Sequence, residues 1–242
     1  MNATDTQPDF TLQPTASGTL DELTFTIAAT LGAPTSNATV AQLLAAGATL
    51  HGITPTPAEA VAAGNADFAL DQDLNGSLRI AASANQLFAI RTTHPGTDFS
   101  ALGWLASDPA VFRKLADVLL PATKWHSLQL ISAPFGDRRE ALRTAYTTLA
   151  ATPTDAAAQA TQAAWQQEVS HLLKKAVMPL ATIGADAQET QALTSLAELA
   201  GCPQVVIPTD DGGSRSFISP SDSDAGLVAY ALHRASVHVG DC

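Results

Sequence analysis

The sequence predicts an α/β fold in which helices cover a central sheet. Short runs in which apolar and polar residues alternate, as in a half-buried strand, are each followed by a longer run with one apolar helical face. This alternation of strands and helices is typical of layered α/β proteins. Hydrophobic residues make up 46% of the chain and charged residues 14%, which excludes general disorder. A length of 242 residues is sufficient for one large domain with a substantial core.

The first half of the chain begins with a strand and a helix. Leu23, Phe25 and Ile27 alternate with threonines, which predicts a strand with one buried face. Ser36 is predicted to cap the following helix, and Gly47 stands where that helix would stop. The later elements of this half are a helix over Ala58–Ala63, a strand around Phe68 and Leu70, a strand with Leu87, Phe88 and Ile90, and a helix that starts at Asp108-Pro109.

The second half is predicted to contain three strands and four helices. The helix that contains Trp165 and Val177 is predicted to end at Pro179, because proline cannot donate a helical hydrogen bond. The other elements are a strand with Leu128, Leu130 and Ile131, a helix over Asp137–Leu149, a helix over Ala187–Leu199 that stops at Gly201, strands over Gln204–Ile207 and Ser214–Ile218, and a last helix that begins near Asp222–Asp224.

Charge and composition exclude several classes of partner. The formal net charge is −11 and the sequence pI is near 4.7, so we expect no nucleic-acid binding and no attraction to anionic membranes. Met1 to Pro14 is polar and acidic rather than basic and apolar, so we expect no signal peptide and a cytoplasmic location. Residues 1–18 are predicted to be a flexible tail and residues 19–242 a single domain. Sequence does not decide whether Cys202 and Cys242 are free or bridged.

One motif suggests chemistry. The run Asp73-Leu74-Asn75-Gly76-Ser77-Leu78-Arg79 resembles the G-T-D-x-G-G-S-[IL]-R motif of the amidase signature family, which splits amides with a Ser–Ser–Lys triad. The resemblance implies that Ser77 is the nucleophile and that an oxyanion hole is formed by the backbone of Leu74, Asn75 and Gly76. It also implies that Asp73 and Arg79 brace this turn as an ion pair.

Other blocks follow in the family's order. Val40–Ala48 is similar to its helix ending in L-x-x-A-G-A, and Ala200–Pro208 to its A-G-x-P-x-[IV]-x-x-P segment. Family members are about twice as long, so the resemblance implies a truncated amidase signature fold with a mixed central sheet flanked by helices, from which most of the substrate-covering middle is missing.

The partners that the family uses to activate its serine are absent from the matching positions. Ala28 stands where members carry the catalytic lysine, and the first lysine of the chain is Lys114. The Gly-Ser-rich loop with the bridging serine is missing between His51 and Ala63. A serine hydroxyl is a poor nucleophile without a base. His51, the only histidine before Ser77, is the remaining candidate base, and its alternative role is that of an ordinary turn histidine.

We found no pattern that predicts a metal site or a cofactor. His94 and His126 have no neighbouring ligands at metal-binding spacing, and the aspartates at 210, 211, 222 and 224 fit solvated turns better than a cation site.

Two functions from different classes follow. The first is a catalytically degenerate amidase-like protein, a pseudoenzyme that binds a small amide or carboxylate, or a partner protein. The alternative is a serine amidohydrolase or acyltransferase that acts on C–N bonds through Ser77 with a non-standard base. Because the missing segments would uncover apolar surface, we also expect a homodimer or a complex with another protein, with the Trp165 helix as the first candidate surface.

Overall fold

The computed structural model describes residues 10–121, 129–130, 139–173, 176–180, 187–221 and 223–237. Its strands are β1 (Thr11–Leu12), β2 (Thr24–Ala28), β3 (Thr49–Thr54), β4 (Phe68–Asp73), β5 (Phe88–Arg91), β6 (Ala101–Ala106), β7 (Gln129–Leu130), β8 (Ala176–Leu180), β9 (Gln204–Pro208) and β10 (Ser214–Ile218). Its α-helices are α1 (Ala38–Ala45), α2 (Pro57–Ala62), α3 (Ser77–Ala84), α4 (Pro109–Leu119), α5 (Arg139–Ala151), α6 (Ala156–Leu173), α7 (Ala187–Ala200) and α8 (Asp224–Val237).

The described strands form one mixed sheet in the order β1-β3-β2-β4-β6-β5-β9-β10-β8-β7. Strand β2 is parallel to both β3 and β4, whereas the strands from β4 through β6, β5, β9, β10 and β8 pair antiparallel. The predicted α/β class with a mixed central sheet flanked by helices is therefore confirmed.

Alternating residues of the strands face different helices. On one face, Phe68 and Leu70 of β4 belong to the core formed with α1, α4 and α8. On the other face, the intervening Ala69 packs with α2 and α3. A further cluster joins α5, α6 and α7, and Trp165 is buried in it.

The carboxyl ends of β2, β4 and β5 lie at the same edge of the sheet. β2 runs parallel to β4, and both β4 and β5 run antiparallel to β6, where Asp73 pairs with Ala101 and Arg91 with Gly103. The segment that follows β4 therefore lies at the same edge as the end of β2 and the loop after β5. This edge is where the candidate site is built.

Two predictions about the first half were wrong in detail. The cap of α1 is Asn37 rather than Ser36, and its side chain accepts the N–H groups of Thr39 at 3.0 Å and Val40 at 3.2 Å. The predicted flexible tail does not extend over all of residues 1–18, because β1 pairs antiparallel with β3. Residues 1–9 lie outside the described part of the chain.

The prediction that one helix runs to Pro179 was wrong. Helix α6 ends at Leu173, and Val177 and Pro179 belong to β8, where Pro179 pairs with Phe217 of β10. Proline is tolerated in a strand that does not need every N–H for pairing on both sides.

Some predicted features lie outside the described residues, namely Leu128, Ile131, Asp137, His126, Asp222 and Cys242. Within the described residues, no helix is long and apolar enough to cross a membrane.

Candidate functional site

Ser77 follows a tight turn between β4 and α3. Asn75 and Gly76 both have positive φ, 56° and 76°, and the N–H of Ser77 donates to the carbonyl of Leu74 at 3.1 Å. These features define a type I′ β-turn, for which Asn-Gly is the favoured dipeptide. Asn75 therefore fills a position where the resembling motif has glycine, and Ser77 becomes the exposed first residue of α3.

Two backbone donors of this turn have no acceptor among the described residues. Among the described residues, the N–H groups of Asn75 and Gly76 donate to no protein acceptor, whereas the N–H of Leu78 donates to Asp73 Oδ1 at 3.2 Å. Backbone donors at the positive end of a helix favour a negatively charged or carbonyl oxygen. The arrangement can polarise such an oxygen next to Ser77.

The buried guanidinium of Arg79 connects the Ser77 turn to α7 and β9. Its Nε donates to Asp73 Oδ2, its Nη2 donates to Glu198 Oε1 at 2.7 Å, and its Nη1 donates to the carbonyl of Thr194 at 3.3 Å and to Gln204 Oε1. The side chains of Arg79 and Asp73 are fully buried. The resemblance of the motif implied the Asp73–Arg79 pair, but nothing in the sequence indicated the partners contributed by α7 and β9.

Tyr146 of α5 reaches the same turn. Its hydroxyl donates to Asn75 Oδ1, and its ring lies 4.8 Å from that of Phe99, centroid to centroid. Burial, and next the negative charge of Glu198, raise the pKa of Tyr146 above its ordinary value, so the phenol remains a hydrogen-bond donor rather than a base. Sequence reasoning missed Tyr146 because no local pattern connects residue 146 with residue 75.

The buried charges around Arg79 influence one another. Burial raises the pKa of Glu198, although the charge of Arg79 opposes this effect. Burial and the nearby charge of Arg79 lower the pKa of Arg91 to about 10. Arg91 donates to the carbonyl of Cys202 at 3.0 Å. Two arginines and two carboxylates thus share one low-dielectric region under the Ser77 turn.

Solved structures with the same architecture include a bacterial aryl acylamidase of the amidase signature enzymes family, which has 12% sequence identity and a TM-score of 0.66 over 91% of this chain and 84% of that chain. A 6-aminohexanoate cyclic dimer hydrolase complexed with substrate is 15% identical, with a TM-score of 0.63 over 90% and 86% of the two chains. A further solved amidase is 15% identical, with a TM-score of 0.64 over 90% and 84%.

The chain has the amidase signature fold. No family model matches its sequence, and no curated protein matches it. At 12–15% identity the likeness to solved structures establishes the fold, and the chemistry has to be argued from the residues of this chain.

Within this amidase signature fold, His51 lies far from Ser77. His51 is an exposed residue of β3 that pairs with Thr11. Through the registers of β3 with β2 and of β2 with β4, His51 aligns with Ala69 of β4, two strands away. Asp73 is four residues further along β4. Typical strand spacings give a backbone separation of about 15 Å between His51 and Asp73. The structure does not bring His51 to Ser77.

The end of β2 does not supply the lysine of the triad. Ala28, 4% exposed, occupies the position where the resemblance implies the lysine of the amidase signature triad. Beyond it, the hydroxyl of Thr30 donates to Asp71 Oδ1 at 3.0 Å. Burial raises the pKa of the Asp71 carboxyl. The methyl group of Ala28 and the carboxyl group of Asp71 therefore lie at this end of the sheet, where the resemblance implies a lysine.

Ser77 Oγ has no hydrogen-bond partner among the residues that the structure describes. Lys114, the only lysine in that part of the chain, is an exposed residue of α4, which packs on the opposite face of the sheet from α3. Cys202 is buried, and burial raises the pKa of its thiol to about 11. The described ranges contain no group of three or more side chains able to hold a metal ion.

Proposed function

We propose that this chain is a shortened protein of the amidase signature type that has lost amide hydrolysis and acts by binding a small molecule or a partner protein. The combination of an ordered Ser77 turn and the lack, among the described residues, of a base in contact with Ser77 Oγ supports this proposal most directly. Ser77 Oγ has no described partner, and Ala28 stands at the end of β2. Without a base, a serine hydroxyl remains a weak nucleophile at neutral pH.

The ligand proposed for this turn is a small amide or carboxylate. The N–H groups of Asn75 and Gly76, which have no acceptor among the described residues, can donate to a carbonyl or carboxylate oxygen. The positive end of the α3 dipole favours a negative charge on that oxygen. Leu74 and Ile80 are large apolar side chains with 46% and 41% of their surface exposed. They provide apolar surface on either side of Ser77 in the sequence, which suits a ligand with an apolar substituent.

Hydrolysis assays test the loss of activity. Purified chain would be incubated with p-nitroanilide and p-nitrophenyl ester substrates beside Ser77→Ala and Ser170→Ala, the latter an exposed serine of α6. We expect the same background rate for all three proteins. A rate that Ser77→Ala abolishes and Ser170→Ala leaves unchanged would contradict the proposal.

A second candidate function is acyl transfer through Ser77 with a non-standard base. Ser77 is exposed and follows two backbone N–H groups that have no acceptor among the described residues. This arrangement favours acyl transfer, because oxyanion donors can contribute about 2.7–4 kcal/mol to such a reaction. This alternative predicts that a fluorophosphonate probe adds covalently to the wild-type chain and to Ser170→Ala but not to Ser77→Ala, as seen by intact mass. An unlabelled wild-type chain would exclude the alternative and favour binding alone.

A further inference from the structure

Asn75 and Gly76 form the only Asn-Gly pair of the chain, since the other asparagines, at positions 2, 37, 65 and 85, precede alanine or glutamine. Asparagine is chemically labile, because the nitrogen of the next residue can attack its side-chain amide carbon. Glycine hinders this attack least, because it has no side chain. Asn75 is exposed, and the N–H of Gly76 has no acceptor among the described residues. The attacking nitrogen is therefore not engaged by the described protein.

The conformation of the turn keeps the two reacting atoms apart. The nitrogen of Gly76 can reach Cγ of Asn75 only if both lie on the same side of the Cα–C bond of Asn75. Asn75 has a φ of 56°, in the left-handed region where ψ is about +30 to +60°. Such a ψ places the nitrogen of Gly76 opposite the Asn75 side chain. The reaction therefore requires the turn to open.

Tyr146 holds the side chain of Asn75 in the closed turn. Its hydroxyl donates to Asn75 Oδ1, and its ring packs against Phe99 with 4.8 Å between the centroids. Both rings are buried. For the turn to open, the hydrogen bond must break or the two packed rings must move.

Phe99 is in turn held by Asp98. Its φ of 55° is unusual for a bulky residue and has to be imposed by its neighbours. Asp98 Oδ1 lies 2.5 Å from Nε2 of His94, and the Asp98 carboxylate also interacts with the N–H of Ser100, on the other side of Phe99. A chain of contacts therefore runs from the exposed Asp98 side chain through Phe99 to Tyr146.

We propose that Asn75 is a site of self-modification that these contacts keep closed. When the turn opens, the nitrogen of Gly76 forms a bond to Cγ of Asn75, the side-chain Cγ–N bond breaks, and ammonia leaves with the proton of the Gly76 nitrogen. Water then opens the cyclic imide to aspartate or isoaspartate. The product adds a negative charge two residues from the buried Asp73. The reaction is independent of whether the Ser77 turn binds a ligand.

Mass spectrometry of the full chain tests the site. The chain would be kept at pH 8 in buffer and in urea, and conversion would be followed by the mass increase of the peptide that contains Asn75 and by an isoaspartate assay. In urea we expect Asn75 to react before Asn37, Asn65 and Asn85. In buffer we expect a rate at least tenfold lower, because the folded turn opens only locally and briefly. Equal rates in buffer and urea, or no conversion in urea, would overturn the proposal.

Three variants test the contacts that keep the turn closed. Tyr146→Phe removes only the hydroxyl that binds Asn75, and Asp98→Ala removes the carboxylate next to Phe99. We expect each to accelerate conversion in buffer at least threefold. Asp211→Ala is the control, because Asp211 is also an exposed turn carboxylate that accepts a hydroxyl and a backbone N–H. It follows β9 at the opposite edge of the sheet and should leave the rate unchanged.

Urea denaturation of each variant separates local opening from global unfolding. We expect Tyr146→Phe and Asp98→Ala to accelerate conversion more than their changes in the free energy of unfolding predict, since the turn can open in an otherwise folded chain. An unchanged rate in either variant, the same acceleration in Asp211→Ala, or an acceleration that the loss of stability fully accounts for would overturn the proposal.

Discussion

At the scale of single residues, Arg79 joins the Ser77 turn to the distant part of the chain. The guanidinium contacts Asp73 of β4, Glu198 of α7 and Gln204 of β9, and it is fully buried. Replacing one partner of a buried ion pair leaves the other charge without compensation. We expect Arg79→Ala to lower the free energy of unfolding by about 3–5 kcal/mol, measured by urea denaturation.

An exposed ion pair provides the control for this prediction. Arg113 and Asp117 of α4 lie 3.5 Å apart, with 53% and 62% of their side-chain surface exposed. Exposed pairs contribute about 0–1 kcal/mol, so Arg113→Ala should hardly change the unfolding curve. Equal effects of the two substitutions would mean that the buried network does not stabilise the fold.

Cys202 allows a test of burial at a single titrating group. Burial raises the pKa of its thiol from 9.0 to about 11, and only the thiolate reacts with iodoacetamide. In a Cys242→Ser background at pH 8, we expect Cys202 to be alkylated at least ~100-fold more slowly in the native chain than in urea, since two pKa units correspond to that change in thiolate population. Native and unfolded chains that react at the same rate would contradict this prediction.

The same pKa shift has a consequence for stability. A thiol with a raised folded pKa favours the neutral form, so its contribution to stability is complete below the unfolded pKa of 9.0 and is lost as the pH rises towards about 11. The free energy of unfolding should therefore fall across this window, and Cys202→Ala should reduce the fall. An unchanged fall in the variant would assign it to other groups.

At the scale of elements, the junction of β4 and α3 depends on Gly76. Its φ of 76° is strained for any other residue, and an added Cβ would lie 2.8 Å from Cβ and Cγ2 of Thr194 on α7. Gly64 has a similar φ of 73°, with open space around it. We expect Gly64→Ala to cost about 1–2 kcal/mol of stability from backbone strain alone. Gly76→Ala should cost more because α7 must also move, and equal losses in urea denaturation would contradict the predicted clash.

Local patterns were sufficient for many of the elements, but they predicted no strand at β1, β3, β6 or β8. Alternation of Phe25 and Ile27 with threonines predicted β2, and Asp108-Pro109 predicted the start of α4. The cap of α1 was missed by one residue because serine and asparagine both cap helices well. Pro179 misled the assignment of β8, since proline ends helices more often than it occurs in strands.

Only the local part of the candidate site could be predicted. The Asn75-Gly76 turn and the Asp73–Arg79 pair lie within seven consecutive residues, and the resemblance of that run to the amidase signature motif implied both. Tyr146 and Glu198 come to the turn from helices that follow it by 71 and 119 positions. No periodicity connects such distant residues, and only the packing of α5 and α7 against the sheet brings them together.

At the scale of the whole molecule, the exposed apolar surface is concentrated near Ser77. The described residues contain three exposed large hydrophobic side chains, and two of them, Leu74 and Ile80, flank Ser77 in the sequence. Trp165, by contrast, is 6% exposed and packs with α5 and α7, so its side chain is not available for an interface. Apolar surface of this kind often marks contacts between proteins.

As the partner-protein form of binding at the Ser77 turn, and as an alternative to a small-molecule ligand there, we therefore propose a homodimer through the surface around Leu74 and Ile80, since closed twofold pairing is the commonest assembly. Light scattering at micromolar concentration should give about twice the chain mass of 24.9 kDa. Leu74→Asp places a charge in the proposed contact and should shift the protein towards the monomer. Thr161→Asp introduces the same charge on the exposed side of α6 and should leave the mass unchanged. A strictly monomeric wild-type chain that recovers no partner in a pull-down would rule the assembly out, and dissociation by Thr161→Asp alone would place the contact on α6 instead.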